Sequence, residues 1–178
     1  HKIIGAFTQR NQETEQPGPE DIYPVGTAIH IQKMIRFPNG EMRLLAQGIS
    51  RIRVSDVTQV VPYLKGRVSV LEEVERETDL HKAYVQNVIR SFTRMVDESE
   101  TLADELKIIV NNIKEGGRLA DVIATNLNIE LDKKQRLLEE VDTTERLKLL
   151  ARYLADEMEV QKLGKKLQAD VKREMDRE

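Results

Sequence analysis

The side chains able to do chemistry are few and scattered along the 178 residues. Cysteine is absent, which excludes thiolate nucleophiles, disulfides and Cys-based metal sites. The three histidines, His1, His30 and His81, show neither an H-E-x-x-H helix nor any other metal-ligand spacing. His30 falls on an apparent strand, where a packing or surface role is expected. Gly164-Lys165-Lys166 carries the Gly-Lys pair of a phosphate loop. The upstream glycine that G-x-x-x-x-G-K-[ST] requires is missing, and the stretch lies inside a helical pattern. None of Ser50, Ser55, Ser69, Ser91 and Ser99 stands in a G-x-S-x-G elbow. Carboxylate pairs such as Glu72/Glu73 and Glu139/Glu140 occur in a chain that is 33% charged and read as solvated faces. No catalytic, cofactor or metal site is expected.

The elements that would position any site follow from proline and glycine. Pro17, Pro19, Pro24, Pro38 and Pro62 all lie in the first third, and past Gly66 only Gly116, Gly117 and Gly164 remain. Turns separate strands, whereas long helices exclude both residues. The fold class expected is therefore α+β, strands first and helices after. A small, mostly antiparallel β-rich domain is assigned to residues 1–76. A helical bundle is assigned to 77–141 and one long helix to 142–178.

In the first part, Lys2–Thr8 reads as a strand and Asn11–Glu20 as a polar loop. Val25, Thr27, Ile29 and Ile31 alternate with smaller or polar residues, the period of a half-buried strand. Phe37-Pro-Asn-Gly40 supplies a hairpin turn, and Met42–Ile49 returns beside the first arm. Arg51–Ser55 and Arg67–Val70 are two more strands, with Ile52, Val54, Val68 and Val70 expected inward. About 75 residues bury a modest core, so support from another strand or from the helices is expected.

In the second part, Thr78 or Asp79 caps a helix carrying Leu80, Tyr84, Val88 and Phe92. Thr101-x-x-Asp104 opens a second helix, which Gly116-Gly117 is expected to end in a left-handed C-terminal turn. Arg118–Asn126 is a third helix. Asp132-x-x-Gln135 and Asp142-x-x-Glu145 resemble capping boxes for the fourth and fifth. The fifth carries two stripes, Leu147, Leu150, Leu154 and Met158, then Val160, Leu163, Leu167 and Val171. The second is narrow and flanked by mixed charges, a pattern that fits a helix seeking a partner helix and a solvated helix equally.

Composition bounds the partners. The formal net charge of -3 lacks the basic footprint of a nucleic-acid binder. No run approaches the roughly 20 apolar residues that span a bilayer, and no signal-peptide pattern opens the chain. His1 leads almost directly into a strand, so natural sequence is expected upstream.

The order of these signals resembles the N-terminal region of the Lon ATP-dependent proteases. Glu20–Thr27 resembles the segment entering a strand, and Arg36-Phe-Pro-Asn-Gly40 the hairpin. Gln47-Gly-Ile-Ser-Arg51 resembles the G-x-x-R strand, and Pro62-Tyr-Leu64 the PYL signature. Leu119–Ala124 resembles the L-A-D-x-I-A helix. Lys134–Glu139 and Glu145–Leu147 resemble the entry to the long helix. Gly117-Arg118 stands where many relatives have a proline nearby.

The resemblance implies a PUA-like domain whose first strand would precede Lys2. It implies a non-catalytic part of an ATP-dependent serine protease. Such a part would recognise unfolded or damaged protein substrates in quality control and contribute to a homohexamer. ATP and magnesium would serve modules of the parent protein outside these residues. A cytoplasmic place in a bacterium is implied, or the mitochondrial matrix in a eukaryote. Exposed apolar side chains mark unfolded protein, so Met34, Ile35, Phe37, Tyr63 and Leu64 are the candidate substrate contacts. Packing of the sheet is their simpler role. Val160, Leu163, Leu167 and Val171 are the candidate oligomerisation face. The alternatives are a stand-alone PUA-like RNA-binding module, against which the charge weighs, and a coiled-coil adaptor acting through Val160–Met175.

Overall fold

A computed structural model describes residues Lys2–Arg177. The chain forms two compact units, His1–Glu72 and Glu73–Glu178. The first is an antiparallel meander of β1 (Ile3–Ala6), β2 (Val25–Arg36), β3 (Met42–Gln59) and β4 (Lys65–Val70), paired in that order. A single 3-10 turn, Pro19–Asp21, interrupts the β1–β2 loop. The Arg10 amide donates to the Asp21 carbonyl at 2.7 Å and the Arg10 guanidinium lies 4.6 Å from the Tyr23 ring centre, which closes that loop. Gly40, at φ 87, supplies the left-handed residue of the β2–β3 turn.

β3 runs unbroken for 18 residues where two shorter strands are expected from the sequence. Register shifts explain the difference. The pairing slips between Ala28 and Ile29, between Val54 and Asp56, and between Val57 and Gln59. Each bulge adds a residue and bends the strand without ending it. Val25 and Ile52 are buried as expected, and Arg51 is buried beside Ile52. Val68 and Val70, expected inward, are exposed, because β4 is an edge strand whose six residues all face solvent.

The second unit contains α1 (Asp79–Glu98), α2 (Glu105–Asn112), α3 (Gly116–Thr125), α4 (Leu131–Glu139) and α5 (Thr143–Met175). Val88, Phe92, Leu119, Ile123, Leu147, Leu150 and Leu154 anchor one continuous apolar cluster. Thr78 caps α1 by accepting from the His81 amide, and Asp142 caps α5 by accepting from the Thr144 and Glu145 amides. The other two capping signals do not operate. Glu130, not Asp132, precedes α4, and Gln135 bonds Glu139 instead. Ser99 Oγ, not Thr101, accepts the Thr101 and Leu102 amides ahead of α2.

Gly116 and Gly117 begin α3 and do not end α2, and neither has positive φ. Their role is close approach. A Cβ on Gly116 would lie 2.6 Å from the His81 ring, and one on Gly117 would lie 2.6 Å from Glu73 Oε2 and 2.9 Å from Thr143 Cγ2.

These contacts belong to a polar knot that places residues 73–76 with the helices, although the sequence pattern groups them with the strands. The Val74 amide donates to the Val141 carbonyl, and the Val74 carbonyl accepts from the Thr143 amide and hydroxyl. Arg146 is wholly buried on the α5 stripe. Its guanidinium donates to the Glu140 carbonyl at 2.6 and 2.9 Å and to Glu73 Oε1 at 3.1 Å, and it lies 3.5 Å from Asp121 Oδ1. His81 sits between Thr144 Oγ1 at 2.9 Å and Glu75 Oε1 at 3.3 Å, and Glu75 also accepts from the Gly116 amide. A buried cation so surrounded has its desolvation offset by hydrogen bonds.

Candidate functional site

The far end of the β2–β3 hairpin is a two-stranded ribbon. β1 pairs with β2 only from Thr27 to His30, with one further bond from the Ile31 amide to the Lys2 carbonyl. β4 pairs with β3 only from Ile52 onward, with one further bond from the Leu71 amide to the Arg51 carbonyl. Among the described residues, from Lys33 to Arg36 and from Met42 to Ile49 the strands pair with each other alone, which leaves the outer edges of the ribbon open.

Register fixes what each face shows. Met34 opposes Leu44 and Arg36 opposes Met42 on one face; Lys33 opposes Leu45 and Ile35 opposes Arg43 on the other. Met34, Ile35, Met42, Leu44 and Leu45 are all between 42% and 58% exposed. Phe37 is half-buried beneath the Arg43 guanidinium, 5.0 Å from the ring centre. Both faces are thus apolar and open, which an ordinary sheet surface avoids.

The structure brings Met34, Ile35 and Phe37 together on this ribbon. Tyr63 and Leu64 lie elsewhere, in the turn from β3 to β4 at the opposite end of β3. At about 3.3 Å per residue, β3 separates the two groups by a contour of roughly 50 Å. Tyr63 is exposed beside Val60 and Val61, while Leu64 is half-buried. Lys65 Nζ lies 5.2 Å from the Tyr63 ring centre, and Gln59 Nε2 donates to the Tyr63 carbonyl at 2.8 Å.

Sequence reasoning passed over Met42, Leu44 and Leu45. Their signal was present: they flank the same Asn39-Gly40 turn and oppose the residues chosen on the other arm. On α5, Leu147, Leu150 and Leu154 are buried, whereas Val160, Leu163, Leu167 and Val171 are 52–66% exposed. Among the described residues, no group of three or more His, Asp or Glu is placed to hold a metal ion. A shallow cleft of about 240 Å³ lies between Arg10, Glu20, Ile22, Pro24 and Val54–Val57. No helix among the described residues is long and apolar enough to cross a membrane.

Comparison with known proteins gives the family and the fold. The family model of the ATP-dependent protease La (LON) substrate-binding domain matches residues 2–156. A Lon protease of Dictyoglomus thermophilum is 38% identical over 177 residues, 99% of this chain and 22% of the relative. A Lon protease of Syntrophomonas wolfei is 38% identical over 176 residues, with the same coverage of 99% and 22%. The chain therefore spans about a fifth of the length of the curated relatives it matches. The solved N-terminal domain of the Mycobacterium avium complex Lon protease shares the fold at a TM-score of 0.68 and 22% identity, over 86% of this chain and 90% of that one. What the matched family model describes is the substrate-binding domain of these proteases. The chain belongs to the substrate-binding domain family of the Lon (La) ATP-dependent proteases.

Proposed function

We propose that the β2–β3 ribbon captures exposed apolar segments of unfolded or damaged protein. The observation that supports this is the exposure of Met34, Ile35, Met42, Leu44 and Leu45 on a ribbon whose edges are also open. An extended segment adds as a strand to such an edge through backbone hydrogen bonds, which read no side-chain sequence. The flexible Met34 and Met42 side chains then repack around whatever the segment presents.

The parent protein, on this reading, is a homohexameric ATP-dependent serine endopeptidase of cytoplasmic quality control. Its ATP and Mg2+ act in modules outside these 178 residues. The stripe Val160, Leu163, Leu167 and Val171 packs against a second copy. Its support is an apolar seam of four exposed residues at helical spacing on α5.

Binding of a fluorescent, reduced and denatured model protein to the 178-residue chain tests the first part. Preference for the denatured form over the native one, lost in Leu44→Asp, is the expected result. Equal binding of both forms contradicts it. Sedimentation of Leu163→Asp/Leu167→Asp tests the second. A lower mass than the parent chain is expected, and an unchanged mass contradicts the proposal.

A further inference from the structure

We infer that the ribbon selects, among apolar segments, those flanked by carboxylates; this rests on the ribbon being the recognition surface. Between Ile22 and Ser55 the cations are Lys33, Arg36, Arg43, Arg51 and Arg53, and Glu41 is the sole carboxylate, in a chain of net charge -3. Three of those cations stand among the exposed apolar residues. Lys33 and Arg43 share a face with Ile35 and Leu45, and Arg36 shares the other with Met34, Leu44 and Met42.

Among the described residues none of Lys33, Arg36 and Arg43 joins an ion pair, whereas the helical unit pairs Arg76, Arg94, Lys107, Lys133 and Arg146 with carboxylates of its own. Arg43 is held over the Phe37 ring, which fixes the guanidinium while leaving its N–H edge for a carboxylate.

An apolar strand added at the ribbon's edge would extend both faces and carry its flanking residues past these cations. Carboxylates there would be attracted and lysines repelled, which sets both encounter rate and discrimination. The same cations are a poor nucleic-acid surface. Single-stranded nucleic acid needs exposed aromatic platforms, and the ribbon's one aromatic, Phe37, is already covered by Arg43.

The test uses three labelled peptides with one apolar centre and flanks of Asp/Glu, Ser or Lys. Their anisotropy is titrated with the 178-residue chain at low and at high salt. The acidic peptide is expected to bind about tenfold tighter than the lysine peptide. That gap should shrink in high salt, where the Debye length falls to about 3 Å. Lys33→Glu/Arg36→Glu/Arg43→Glu should reverse the order. Arg36→Gln alone, with folding checked by circular dichroism, should narrow the gap and serves if the triple variant fails to fold. Equal binding of all three peptides, lost in Leu44→Asp, would overturn the charge selection and leave the ribbon as the recognition surface. No binding of any peptide would overturn both. An acidic preference that survives charge reversal, or tighter binding of single-stranded RNA than of the acidic peptide, would also overturn the selection.

Discussion

In the helical unit fourteen buried apolar side chains close into one cluster, while among the described residues of the strand unit only Val25 and Ile52 are buried apolar side chains. Apolar content does not separate the two. β2 and β3 carry Ile, Leu, Met and Val throughout, yet most of these stay half or wholly exposed. The difference is in layers. Five helices enclose a volume from several sides, whereas the single meander is covered only locally, where Phe7 lies against Gly5 and Gly26 beside Ile52. One unit therefore spends its apolar surface on its own stability, and the other leaves it available for contact.

The same contrast divides α5. Its first half contributes Leu147, Leu150 and Leu154 to the cluster, and its second half presents Val160, Leu163 and Leu167 to solvent.

Substitutions can break or sharpen this comparison. The largest effect is expected from Arg146→Leu. It removes the wholly buried guanidinium that donates to the Glu140 carbonyl and to Glu73 Oε1 and should destabilise the helical unit by about 3–5 kcal/mol. Denaturant unfolding gives the magnitude. Hydrogen exchange should show faster exchange in α1, α3 and α5, and equal acceleration in β2 and β3 would dissolve the distinction between the units.

Glycines give the next pair. Gly117→Ala places a Cβ against Glu73 and Thr143 and should cost about 1–3 kcal/mol. Gly164→Ala meets nothing within 4 Å in the exposed half of α5 and should stabilise that helix by about 1 kcal/mol. Helix content followed by circular dichroism separates them.

Leu44→Asp, on the ribbon, should change stability by less than about 0.5 kcal/mol while removing binding of denatured protein. A large loss of stability would mean that the ribbon is core.

The smallest effect concerns pH. Hydrogen bonds to Asp97 and Asp104 raise the pKa of Lys107 above its ordinary 10.5. Their contribution is complete below that value and is lost as pH rises through the raised one. Lys107→Met should lower the neutral-pH midpoint slightly and converge on the parent chain at the alkaline end of the stability curve.

Much of this was legible in the residues. Proline and glycine placement gave the order of strands and helices, and Asp142-x-x-Glu145 marked the start of α5 through a cap that operates. Asp132-x-x-Gln135 carried the same pattern without forming it, because an offset of two residues from the Glu130 cap position puts Asp132 inside the first turn. Gly116-Gly117 misled for a different reason. Glycine serves both left-handed turns and close packing, and only the neighbouring His81 and Glu73, distant in sequence, decide between them. Arg146 was passed over although it shares a helical face with Thr143, Leu147 and Leu150, a position that marks a buried cation. Of the candidate contacts, Met34, Ile35 and Phe37 meet because they are local. Tyr63 and Leu64 lie apart because the bulges that keep β3 continuous leave no mark in the alternation pattern.

Hydrogen exchange of the 178-residue chain, with and without a saturating denatured model protein, tests the central claim most directly. Slowed exchange confined to the arms Lys33–Arg36 and Met42–Ile49, with α1, α3 and the first half of α5 unchanged, is the predicted result. Protection on α5 or the β3–β4 turn with the ribbon unaltered would contradict it.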